Sequence, residues 1–103
     1  MYIFGGEYAT LDQFHHYRDM WALDLKTNIW EEIPASKDGP SARSGHRMVV
    51  WRNCIILFGG FYEALREVRW YSDLYIFSFT ERKWMQVPAK PYVQGEYRIP
   101  QFV

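Results

Sequence analysis

The chain has 103 residues, 49% of them hydrophobic and 19% aromatic, a share that excludes a disordered polar segment and supplies the core of one compact unit. Twelve basic and twelve acidic side chains cancel, so no overall field favours nucleic acid or an anionic membrane surface as partner. The longest apolar runs, Met48 to Trp51 and Cys54 to Phe58, fall far short of the roughly 20 residues of a membrane-crossing helix.

In chain order, Met1 to Phe4 reads as a short apolar strand closed by Gly5-Gly6, with no basic region or apolar stretch of the kind a secretory signal needs. A loop over Glu7 to Arg18 leads to a second apolar run, Met20 to Leu25, and Trp30 opens a further strand. After the connection Ala35 to His46, Met48 to Trp51 and Cys54 to Phe58 form a hairpin about Arg52-Asn53, where Asn tolerates the left-handed conformation such turns use. Gly59-Gly60 ends that strand, and a loop of about a dozen residues, Phe61 to Ser72, follows. Asp73 to Phe79 and Lys83 to Val87 are the last two strands, joined at Thr80-Glu81-Arg82. The run Leu74 to Phe79 is apolar on both alternating faces, which calls for packing between two other layers. Cys54, the single cysteine, has no disulfide partner in the chain and serves as a small hydrophobe, so a reducing compartment, cytoplasm or nucleus, is expected.

The sequence repeats itself. A shift of 54 positions carries Phe4-Gly5-Gly6 onto Phe58-Gly59-Gly60, Tyr8 onto Tyr62, Leu11 onto Leu65, Tyr17 onto Tyr71, Asp19 onto Asp73, Trp30 onto Trp84 and Pro34-Ala35 onto Pro88-Ala89 without a gap. A four-stranded unit of this length, with an apolar run ending in a double glycine and a tryptophan on the fourth strand, resembles the kelch repeat. The resemblance implies an all-β, kelch-type β-propeller fragment with four-stranded antiparallel blades. Residues 1–34 correspond to a partial blade, strands two to four, and residues 35–88 to a complete one. The motif fails at Tyr97 to Pro100, so residues 89–103 are expected to be an irregular tail or an altered start of a further blade.

Within this frame, Gly5, Gly6, Gly59 and Gly60 are assigned to close backbone turns, and Trp30 and Trp84 to burial against an adjacent blade, worth roughly 3 kcal/mol or more each. His46, in the segment Arg43-Ser44-Gly45-His46 that resembles the family's entry into the innermost strand, is expected to be a hydrogen-bonded residue at a blade corner. Asp19 and Asp73 recur and are expected to cap the loops through backbone amides. The family's usual tyrosine seven residues before the tryptophan is replaced by Leu23 and Phe77, which removes a phenol hydroxyl.

No cofactor or metal is expected. His15-His16 lacks companion ligands at a suitable spacing, and adjacent strand residues point to opposite faces. A catalytic alternative exists in kelch-type propellers resembling galactose oxidase, a copper-radical oxidoreductase, yet the chain holds no evident set of nucleophile, base and orienting group, and an enzyme is not expected. The resemblance implies instead a protein-interaction scaffold or adaptor. Residues that do not recur, Phe14, His15, His16, Arg43, Arg66, Arg69 and Trp70, lie in three loops expected to open on one side and form the contact surface, because Arg and aromatic residues are enriched at binding hot spots. The partner is expected to be a protein, with remaining blades of a parent chain or self-association covering the sheet faces, since a propeller needs about 4–8 blades to close.

Overall fold

The computed structural model describes residues 1–88; the tail expected over 89–103 lies outside them. The described residues form seven strands in two antiparallel sheets. β1 (Tyr2–Ala9), β2 (Phe14–Leu23) and β3 (Trp30–Ile33) make the first, and β4 (Arg47–Trp51), β5 (Cys54–Ala64), β6 (Glu67–Ser78) and β7 (Lys83–Val87) the second. Each is a meander with neighbours in chain order, as a propeller blade requires.

The 54-residue repeat holds at the level of register. Phe4 pairs with Met20 and Gly6 with Tyr17, with a bulge between, and Phe58 pairs with Leu74 and Gly60 with Tyr71 in the same way. The glycine pairs therefore do not end their strands, as expected from sequence, but bend them. Gly59 and Gly60 have φ of 71° and 102°, values that L side chains rarely adopt, and pairing resumes beyond them to Ala64. The anticipated loops Glu7 to Arg18 and Phe61 to Ser72 are accordingly long hairpins, closed by residues 10–13 and by Leu65-Arg66. Phe61, Tyr62, Val68, Trp70 and Tyr71 are strand formers, and this local preference carries the ladder past the bend.

Turn chemistry also differs from expectation. At the β4–β5 hairpin Arg52, not Asn53, takes the positive φ of 52°, while the Asn53 side-chain amide bonds Thr80 Oγ1. The β2–β3 and β6–β7 connections place Asn28 and Arg82, which are repeat equivalents, at φ of 58° and 54°.

The core lies between the sheets. Phe4, Met20 and Ile33 from the first sheet form one buried cluster with Ile55, Leu57, Phe77 and Trp84 from the second. Trp84 meets Phe4 edge-on at 5.7 Å and Phe77 at 5.2 Å between ring centroids, the geometry aromatic quadrupoles favour. Trp84 is 8% exposed, whereas its equivalent Trp30 is 47% exposed. Trp30 is therefore not a buried anchor within the described residues, because no layer covers the face of the first sheet on which it stands with Met1 and Ile3.

Candidate protein-binding surface

The connection between the sheets runs between the two long hairpins and ties them together. Ser44 forms a two-way backbone bridge with Phe61, N–H to carbonyl at 2.9 Å in each direction. The Arg43 N–H donates to the Tyr17 carbonyl at 3.2 Å, and the Arg43 carbonyl accepts from the Gly6 N–H at 3.1 Å. A Cβ on Gly5 would stand 2.6 Å from the Arg43 carbonyl oxygen, and one on Gly60 2.7 Å from that of Ser44. Both glycines are thus required where the connection passes closest.

Arg43, expected on the presented surface, is instead 1% exposed. Its guanidinium makes a fork on Asp73, Nη1 to Oδ1 at 2.6 Å and Nη2 to Oδ2 at 3.0 Å, and Nη1 also donates to the Gly59 carbonyl at 3.0 Å. Nε donates to the Ser41 carbonyl at 3.2 Å, and the Tyr71 ring lies 4.1 Å below the guanidinium carbon. A buried cation requires this degree of pairing. The role of Asp73 changes with it: the carboxylate accepts from Arg43 rather than capping backbone amides, and Asp19 accepts from Trp21 Nε1 at 2.8 Å. Burial, with Asp73 next in effect, pushes the Tyr75 phenol above its ordinary value, so the ring stays neutral beside the pair.

His46 is half-buried, edge-on to Phe4 at 5.5 Å, with Nδ1 buried and without a hydrogen-bond partner. Desolvation, with repulsion from Arg43 next in effect and from Arg47 as well, outweighs the hydrogen bond that the imidazole donates to the Phe4 backbone carbonyl, lowering its pKa and keeping it neutral near pH 7. His16 is held by Ser44, Nδ1 to Oγ at 2.7 Å, and packs on Phe61 and Tyr62 at 5.5 and 5.3 Å. His16 thus joins the first hairpin to the second and is not free at the surface.

The remaining expected contact residues stand on the distal parts of the hairpins. Trp70 on β6 is 78% exposed, leaning on Phe61 at 5.5 Å. Arg69 is exposed and paired with Glu67, Arg66 sits in the turn, and Phe14 and His15 begin β2, with His15 stacked on Tyr8 at 6.3 Å. Leu11 and Leu65 are exposed at the two tips. These leucines and Tyr8 are repeat positions, outside the non-recurring set expected to make contact. Recurrence marked the same hairpin built twice, not burial. Among the described residues no three His, Cys, Asp or Glu side chains group as a metal site, and no helix is long and apolar enough to cross a membrane. Cys54 Sγ contacts the Trp51 carbonyl at 3.0 Å.

Two adjacent hairpins bent at double glycines, with a tryptophan on the closing strand of the second sheet, agree with the comparisons with known proteins. The KLHDC2/KLHL20/DRC7 Kelch-repeats domain matches residues 1–99. Tip elongation aberrant protein 1 of Schizosaccharomyces pombe is 28% identical over 86% of this chain and 8% of its own length. Acyl-CoA-binding domain-containing protein 4 of Arabidopsis thaliana is 31% identical over 95% of this chain and 13% of its own. N-(sulfonatooxy)prop-2-enimidothioate sulfolyase of Thlaspi arvense is 31% identical over 82% of this chain and 23% of its own. The chain therefore spans less than a quarter of these relatives, and within that span it belongs to the kelch-repeat family, as a fragment of the β-propeller those repeats build.

Proposed function

We propose that this chain is part of a protein-interaction propeller, a scaffold or adaptor, whose partner docks across the distal ends of the two hairpins. The observation that carries this reading is the exposed set Trp70, Arg66, Arg69, Phe14, His15, Tyr8, Leu11 and Leu65 on hairpins tied rigidly together through Arg43 and Ser44. Hairpins held by backbone hydrogen bonds and presenting aromatic and arginine side chains suit a hot spot, because little backbone freedom is lost on contact. We place the protein inside the cell, in cytoplasm or nucleus. As a finer part of this proposal, we assign the chain, on the segments Glu7 to Arg18 and Gly39 to Met48, to a relative of kelch domain-containing protein 4.

This reading assigns no catalytic step. The Ser44–His16 contact joins a hydroxyl to an imidazole, but Ser44 is buried and His16 Nε2 has no carboxylate to orient it, so it does not assemble a nucleophile for an outside substrate. The reading is tested by a photo-crosslinking side chain placed in cells at position 70, and separately at the exposed Met85 on the outer strand β7. Discrete protein adducts from position 70 and none of the same mass from position 85 are expected. Identical adducts from both positions, or none from position 70, would refute the docking surface.

A further inference from the structure

His46 stands at the head of β4, where the connection from the first sheet becomes a strand of the second. Its surroundings come from both sheets. The ring lies edge-on to Phe4 at 5.5 Å and donates to the Phe4 carbonyl, so the imidazole ties the entry of β4 to β1. The two glycine bends close on it: a Cβ on Gly60 would stand 3.1 Å from both the His46 Cβ and its backbone nitrogen, and one on Gly5 3.5 Å from Cε1. With Nε2 as the donor, Nδ1 is the nitrogen left buried without a partner. A bare lone pair is tolerated there, but an N–H carrying positive charge is not, because a desolvated cation without an acceptor is strongly unfavourable. The charged groups facing the ring are Arg43 of the connection and Arg47 of β4, and both repel an imidazolium. β1 and β5 present Phe4, Gly5 and Gly60, which do not titrate, while Asp73 on β6 is taken up by Arg43 and His16 on β2 is bonded to Ser44.

We propose that His46 is an acid-sensitive tie between the two sheets, closed while its imidazole is neutral and opened when Nδ1 takes up a proton from solvent. To hydrate the new N–H, the ring turns outward from between the glycine bends and gives up both the Phe4 carbonyl and the edge contact with the Phe4 ring. The movement reaches the seam. Only Gly45, at φ 68°, separates His46 from Ser44, which bridges Phe61, and the preceding Arg43 holds Tyr17 and Gly6 through its backbone. Opening the tie therefore loosens the bonds that join the two hairpins. The direction with pH follows from linkage. Burial and the two arginines depress the folded-state pKa below the ordinary histidine value, so the unfolded chain takes its proton first as the pH falls. Stability is complete above the ordinary value and is lost as the pH falls from there through the folded one. The tie belongs to the frame, and its opening does not depend on what docks at the hairpin tips.

Amide hydrogen exchange of the full chain, read by mass spectrometry from about pH 7.5 to about pH 5.5, tests the tie in a window that spans the ordinary histidine value and stays above the carboxylates. After correction for the chemical pH dependence of exchange, protection of the segments holding the Gly6, Arg43, Ser44 and Phe61 N–H groups, which make the seam, should fall several-fold on acidification. His46→Gln keeps a donor for the Phe4 carbonyl but takes no proton, and should remove that fall. Exchange of the imidazole C2 hydrogens reports each histidine separately and keeps the test if the variant does not fold: His46 in the chain should titrate below the same residue in a peptide of residues 43–49. Seam protection that is constant across the window overturns the tie. So does a fall that persists in His46→Gln or is removed instead by His16→Gln, and so does a His46 that titrates at or above the peptide value.

Discussion

Arg43 shows how one residue links sequence, fold and surface. As a solitary arginine in a Ser- and Gly-rich connection it has the composition of a contact residue, and its non-recurrence strengthened that reading. Its partner, Asp73, lies 30 residues later, a separation no local pattern reveals, although an aspartate repeated before strand three in both units does ask for a cation. Because the half-buried Asp73 and the Gly59 carbonyl would lose their cation and the packed guanidinium would leave its place empty, Arg43→Ala should destabilise the chain by about 3 kcal/mol, the low end for a buried pair since Asp73 stays partly open to water. Asp73→Asn should cost a comparable amount for the converse reason, and the double change should recover part of the loss. Urea unfolding midpoints of the three variants check this. Additive losses in the cycle would mean the pair is not coupled. Trp70 is the opposite case, an aromatic whose non-recurrence did coincide with exposure, because nothing in the frame requires a ring at that site.

Strand order and the 54-residue period were legible from the apolar runs, and β4 and β7 lie within a residue of their expected bounds. What was not legible is that β5 and β6 continue past Gly59-Gly60. A double glycine reads as a stop, since it weakens a ladder, and only the passage of Ser44 beside it shows that the strand must bend there without ending. The two bulges allow a contrast within one fold. Gly60→Ala meets both an unfavourable φ of 102° and the Ser44 carbonyl at 2.7 Å, whereas Gly6→Ala meets φ of 121° with nothing within 4 Å. Strain alone costs on the order of 1–3 kcal/mol. Gly60→Ala should therefore lower the melting temperature by clearly more than Gly6→Ala, as read by circular dichroism at one concentration. Equal shifts would show that the close approach of the connection contributes nothing.

At the scale of the whole molecule, the interface between the sheets is the pattern from which the rest follows. Ile55, Leu57, Phe77 and Trp84 are buried on the first sheet's Phe4, Met20 and Ile33, and the repeat equivalents of the first four, Met1, Ile3, Leu23 and Trp30, face no layer of the described chain. Apolar side chains left so exposed, beside open strand edges, favour association with further blades or further copies. Sedimentation velocity should show the average mass of the isolated chain rising across a micromolar concentration series; a single sharp monomer throughout would show the faces to be self-sufficient. The central claim, that hairpin tips make contact while the inter-sheet core holds the frame, is tested most directly by pairing a melt with partner capture for the same variants. Trp84→Ala should cost about 3–5 kcal/mol of stability and reduce capture only in proportion to the folded protein lost. Trp70→Ala and Arg69→Ala should leave the melting temperature within a degree or so of the parent, as exposed substitutions usually do, while capture falls several-fold, as truncation at a hot spot does. Unchanged capture by the Trp70 and Arg69 variants, or unfolding of either, would contradict the account.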